Sequence, residues 1–225
     1  MVSLRTRAAT VRAHPSAVLM STQLVAVLAY PFLDQTAWGR AVVGTVQLGI
    51  VLAALAAVRP TPALTWVAVL LGAPAMVLTI LEAWQPHSDP IVLTSAFLHA
   101  PFYFYISYAM IRYLFHDDRV TRDELFATGA AFTVVAWGFA YVFAACQVVW
   151  PGSFIGATGV GDRSWFELLF LSFSTLTSVG LSDVVPVGGH ARSFAMVEMV
   201  AGVFYVALVV ARLVSLAVVA RRPEA

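Results

Sequence analysis

The stretch LLFLSFSTLTSVGLS, residues 168–182, is 15 residues long and carries no ionisable side chain. A helix rises about 1.5 Å per residue, so this run is too short to cross the roughly 30 Å hydrocarbon core of a bilayer. It reads instead as a re-entrant segment that enters a membrane and returns. Non-helical backbone at lipid depth must be buried in protein or line a water-filled path, because each unpaired N–H or C=O costs several kcal/mol in hydrocarbon. Thr177-Ser178-Val179-Gly180-Leu181-Ser182-Asp183 has that character. Ahead of it, residues 165–176 read as a short helix, with Ser164 as N-cap and Glu167 completing a capping box. After it, Pro186, Gly188 and Gly189 impose an extended return.

The flanking sequence is membrane-like throughout. Of 225 residues, 60% are apolar and 11% charged, and the mean hydropathy is +0.85, far above the range of a water-soluble domain. Uncharged runs over 15–33, 41–58, 60–81 and 125–149 are each long enough to span. A fifth run, 91–111, contains His99 alone as an ionisable group, and a sixth, 193–220, is interrupted by Glu198 and Arg212. The expectation is an all-α integral membrane protein with six transmembrane helices and a re-entrant helix and loop between the fifth and sixth. The charged stretch 116–124 divides the chain. Residues 1–15 form a cytoplasmic tail, 16–115 a four-helix membrane domain, 116–124 a cytoplasmic linker and 125–225 a second membrane domain.

The basic residues are all Arg. A cytoplasmic N-terminus puts Arg5, Arg7, Arg12, Arg59, Arg112, Arg119, Arg122, Arg212, Arg221 and Arg222 inside, against Arg40, Arg163 and Arg192 outside, which orients both termini to the cytoplasm. The first span, preceded by Arg5, Arg7 and Arg12, also has the form of a signal peptide; its removal would leave five spans with the same downstream orientation. A formal charge of +1 points to no nucleic-acid partner. Cys146, alone in an apolar run, excludes an internal disulfide or a Cys-based metal site. Gly159-Val160-Gly161-Asp162 echoes the GxGD of intramembrane aspartyl proteases, but no second membrane aspartate accompanies Asp162, which belongs to a polar turret over 151–163. No enzyme chemistry and no cofactor are expected.

A helix that descends halfway, a glycine-containing strand that returns and a long final span form the helix, loop and helix of an ion-conducting pore. The negative end of the short helix's dipole then points at the membrane centre, where it stabilises a cation. These residues resemble the tetrameric potassium channels, whose filter reads TVGYGD and is followed by a proline and a pore-lining helix. Ser178-Val179-Gly180-Leu181-Ser182-Asp183 matches at Val179, Gly180 and Asp183, and the match continues without a gap through Pro186, Arg192 and Met199-Val200-Ala201-Gly202. It covers 125–222. The first four spans resemble six-span channels in number only: the fourth lacks the arginine array of a voltage sensor, with Arg112 alone at its inner end.

The resemblance implies passive conduction of K+ through a homotetramer embedded in lipid, in the inner membrane of a prokaryotic cell. Thr177 to Ser182 form the filter, with K+ held by the backbone carbonyls of Ser178, Val179, Gly180 and Leu181, and Asp183 stands at the outer mouth. Gly202 is the gating hinge. Val203, Val206, Val210 and Val214 line an apolar inner cavity or gate. With tails of about 15 and five residues, no soluble ligand-binding domain is expected. Two departures bear on selectivity: Leu181 replaces an aromatic residue and Ser182 replaces the second glycine. That glycine has positive φ, which costs a residue with a side chain roughly 1–2 kcal/mol, so the outer ring is expected to rearrange. Phe170 and Leu171, where the family has tryptophans, offer Leu181 an apolar cuff. Two alternatives follow from these changes, a non-selective or sodium-permeable cation channel and a non-conducting regulatory subunit. Glu198 reads as a hydrogen-bond partner behind the filter, and His99, Glu82 and His87 as satisfied polar contacts or a solvated rim rather than proton sensors.

Overall fold

The computed structural model describes residues 15–57, 62–114 and 122–219. In chain order the helices are α1 (Pro15–Leu33), α2 (Ala37–Ala57), α3 (Pro62–Trp84), α4 (Asp89–Leu114), α5 (Arg122–Val149), α6 (Trp165–Leu176) and α7 (Gly189–Val219). Among the described residues, Ser16–Leu33, Asp89–Arg112, Leu125–Val149 and Gly189–Arg212 are long and apolar enough to cross a membrane, and Val69–Trp84 is a shorter apolar stretch. The architecture is that of a largely helical integral membrane protein. Of the expected linker, 116–121 lie outside the described residues, while Asp123 and Glu124 fall in the first turn of α5.

α5 is the central element. It packs against α1 and α4 on one side and α6 and α7 on the other, while α2 and α3 close the layer beyond α1 and α4. Small residues make these approaches possible: Ala127, Ala130, Ala131, Ala136, Ala140 and Ala144 are all buried. Trp137 and Phe102, both fully buried, fill the space between α4 and α5, and Tyr103 meets Trp137 edge-on with ring centroids 5.7 Å apart.

Polar groups fasten the helix ends. Ser16 donates its backbone N–H to Asp123 Oδ1 at 3.0 Å and its hydroxyl to Oδ2 at 2.7 Å, so Asp123 caps the free amide end of α1 from the start of α5. Replacing Asp123 with alanine removes both acceptors and is expected to cost about 1–3 kcal/mol, read as a lower melting temperature in detergent. An unchanged melting temperature would show that water replaces the carboxylate. At the opposite end Arg40 donates through Nη2 and Nε to the Ala83 carbonyl, at 2.8 and 3.3 Å, and through Nη1 to the Asp34 carbonyl at 2.7 Å. A cation thus closes the C-terminal ends of α1 and α3, where the helix dipoles favour it.

One element was absent from the sequence reading. The expected polar turret contains two strands, β1 (Phe154–Gly156) and β2 (Gly159–Val160), and a third, β3 (Val185–Pro186), follows the loop. The order is β2-β1-β3, both pairings antiparallel, with Ile155 opposite Val160 and Val185. Strands of two or three residues are too short to show an alternating pattern, and they ally only through the tertiary fold. The sheet ties the return strand to the turret, and the Ser153 carbonyl adds bonds from the N–H groups of Val187 and Gly188 at 2.9 and 3.1 Å.

Candidate functional site

The start of α6 carries the expected capping box. Ser164 is extended (φ −62°, ψ 156°); its hydroxyl accepts the Glu167 N–H at 3.3 Å, and Glu167 Oε2 accepts the Ser164 N–H at 2.7 Å. α5 holds the residue before it: Gln147 accepts the Arg163 N–H and donates to the Arg163 carbonyl, both at 2.9 Å. The first turn of α6 also rests on α1. Tyr30 stacks on Phe166 with centroids 4.6 Å apart, and Tyr141 and Tyr30 each lie 5.7 Å from Trp165.

At the other end of α6 the chain leaves the helix around one residue that the sequence did not single out, Ser174. Its carbonyl accepts the N–H groups of Val179 and Gly180 at 3.1 and 3.2 Å, and its hydroxyl accepts the Ser182 N–H at 3.0 Å. A single buried serine therefore holds the expected filter from behind at three points. Thr177 turns its hydroxyl back onto the Phe173 carbonyl at 2.6 Å. The left-handed φ values fall at Ser178 (60°) and Gly180 (70°), and Ser182 is not among the positive-φ residues. Instead the Ser182 hydroxyl accepts the Val184 N–H at 3.0 Å, closing a local turn. Ser182 thus lies outside the left-handed region, and the side-chain-bearing residue of the loop within it is Ser178. Val179, Leu181 and Asp183 are exposed. Leu171 is buried with Phe143 and Phe154, on the side of α6 that faces α5 and the sheet.

α7 passes close behind this loop. A Cβ built on Gly202 would lie 2.0 Å from the carbonyl oxygen of Leu176, the last residue of α6. The glycine therefore has a packing reason independent of any hinge. Beyond it Val203, Phe204, Val206, Leu208, Val210 and Val214 are all more than half exposed in the chain, and so are Met196, Val197 and Val200 before it. Of the four described helices long and apolar enough to cross a membrane, α7 is the least covered. Between α6 and α7, the Ser172 hydroxyl contacts the Glu198 carboxyl and lies 2.8 Å from the Ala136 carbonyl of α5.

The structure joins two of the three rim residues. Ser95 donates to Glu82 Oε2 at 2.5 Å and lies 3.1 Å from His99 Nδ1; Thr79 Oγ1 lies 3.0 Å from His99 Nε2. His99 also stacks on Tyr141 of α5 at 4.4 Å, so this cluster connects α3 and α4 to the helix that carries the loop. His87 and Asp162 are exposed, and Cys146 is buried.

Residues 129–219, from the second turn of α5 to the end of α7, match a family model described as ion channel. They make up less than half of the chain. The match bears out the resemblance to pore-loop cation channels over this segment and points to channel-type ion transport. No curated protein and no solved structure matches the chain.

Proposed function

We propose that the protein is a passive cation channel of the potassium-channel type, assembled as a homotetramer around the loop 177–182. Four copies bring four filter strands to one axis, where the carbonyls of Ser178, Val179, Gly180 and Leu181 replace the water shell of K+. One chain supplies one loop, so a fourfold ring needs four chains. In this reading six helices cross the membrane, α6 is the re-entrant pore helix, 16–115 is a non-sensing four-helix domain and 125–225 is the pore domain. The observation that carries the reading is the three-point hold of Ser174 on Val179, Gly180 and Ser182, which shapes a non-helical strand directly after a helix too short to span. Uncovered Val179, Leu181 and the α7 valines are the surfaces a neighbouring copy and an axial cavity would occupy.

Reversal potentials of purified protein in planar bilayers under opposed K+ and Na+ gradients test the function. A cation-selective current favouring K+ supports it, and a chloride current or no current from a stable tetramer overturns it. A second reading, a weakly selective or sodium-permeable channel, is favoured by one observation: Ser182 does not take the left-handed φ expected of the glycine it replaces, and its hydroxyl accepts the Val184 N–H instead.

The valine stripe makes a further expectation. An apolar constriction gates by losing its water, so Val210→Ser or Val214→Ser is expected to raise basal flux several-fold in a liposome assay. Unchanged flux in both variants, at normal expression, would remove the stripe from the gate.

A further inference from the structure

Glu198 lies in the outer half of α7 and is fully buried within one subunit, so neither a neighbouring copy nor bulk water reaches it. Among the described residues its polar partner is the Ser172 hydroxyl, and its second oxygen, Oε2, has none. The ion pair between described residues, Arg163 with Glu167, sits at the start of α6. The Ser172 hydroxyl is also 2.8 Å from the Ala136 carbonyl. A hydroxyl has one proton and cannot serve two acceptors. With Glu198 ionised, Ser172 must either abandon the Ala136 carbonyl or leave a buried charge without any hydrogen bond, and both are unfavourable. With Glu198 protonated the chain closes in one direction: the carboxyl donates to Ser172, and Ser172 donates to Ala136.

We propose that Glu198 is a neutral carboxylic acid in the folded channel and a positioning residue for the filter, acting through Ser172 to seat the pore helix between α5 and α7. Ser172 and Ser174 are two residues apart, about 200° around the helix, so they face opposite sides. The first is held by Glu198 and Ala136, and the second holds the filter strand. Glu198 thereby sets the distance at which Ser174 presents its hydroxyl to Ser182. This rests on the channel reading above.

The test combines infrared difference spectra of wild type against E198Q with reversal potentials of E198Q and E198L. The wild type is expected to show the C=O band of a protonated carboxylic acid, absent from E198Q and persisting from mildly acidic to mildly alkaline buffer. E198Q, whose amide donates to Ser172 as the acid does, keeps the permeability ratio. E198L, similar in volume but without a donor, shifts the ratio about threefold to tenfold, the effect of one lost hydrogen bond. If E198L does not assemble, S172A interrupts the same chain and carries the same expectation. Absence of the band, its loss on titration through the ordinary carboxylate range, or an unchanged ratio in the assembled variant overturns the proposal. If the wild type conducts no cation, the channel reading fails, while the band still decides the protonation of Glu198.

Discussion

Gly202→Ala is expected to abolish conduction by breaking the packing of the pore, with the melting temperature and the oligomer lost together. The added methyl carbon would stand 2.0 Å from the Leu176 carbonyl oxygen, 2.8 Å from its carbon and 3.1 Å from its Cα. All three are backbone atoms at the end of a capped helix, so no side chain can swing aside. Overpacking of this kind typically costs about 1–3 kcal/mol in each chain, and the proposed tetramer repeats it at four contacts in one assembly. In each chain that is a large fraction of the stability of a folded domain, about 5–15 kcal/mol. A hinge role alone makes a different forecast. Alanine is a good helix former, so a stiffened hinge would leave assembly and melting intact and lower only the opening frequency. Thermal melting in detergent beside flux in liposomes separates the two, and a stable, tetrameric, poorly opening Gly202→Ala would assign the glycine to the hinge.

The second large effect is expected at Ser174. Removing its hydroxyl leaves the Ser182 N–H, now bonded at 3.0 Å, without its acceptor. For a half-buried donor the loss is about 1 kcal/mol, enough for the outer strand of the proposed filter to rearrange. Ser174→Ala is therefore expected to move the K+ to Na+ permeability ratio toward unity by about fivefold or more, whereas Ser174→Thr, which keeps a hydroxyl, stays near wild type. The reverse engineering runs through Ser182 and Leu181. Glycine at 182 regains access to positive φ, and tyrosine at 181 regains a hydroxyl, so Ser182→Gly with Leu181→Tyr is expected to raise selectivity. The tyrosine hydroxyl requires a polar partner, placed at exposed Phe170, because Leu171 is buried with Phe143 and Phe154. Bi-ionic reversal potentials check each variant. An unmoved ratio in Ser174→Ala, with intact melting, would show that the strand is shaped by its neighbours in the tetramer and not by this serine.

The features that could be read along the chain are those whose causes are local. The capping box of Ser164 and Glu167 joins residues three apart, and it stands in the structure as read. The apolar runs are helical over their described parts because a run of about 20 apolar residues has no other way to satisfy its backbone in lipid. Glu198 was legible as a buried partner behind the loop because a lone carboxyl inside an apolar helix must find a donor. Ser172 and Ser174 gave no comparable signal. A serine in an apolar segment is an ordinary residue, and only the arrangement of α5, α7 and the filter strand around α6 turns two of them into contacts.

Sequence alone pointed to the class of this protein: membrane helices from the length and apolarity of the runs, and a likeness to channels from the order Val179-Gly180 to Asp183 and onward to Gly202. Tertiary structure decided which atoms meet. Asp123 caps a helix through Ser16, 107 positions earlier, Arg40 closes a carbonyl 43 positions away, and Gly202 is required by the Leu176 carbonyl against which it packs. Periodicity and caps follow from neighbours in the chain, whose separations are set by covalent geometry. Contacts between distant residues depend on the mutual placement of whole helices, which no local pattern encodes.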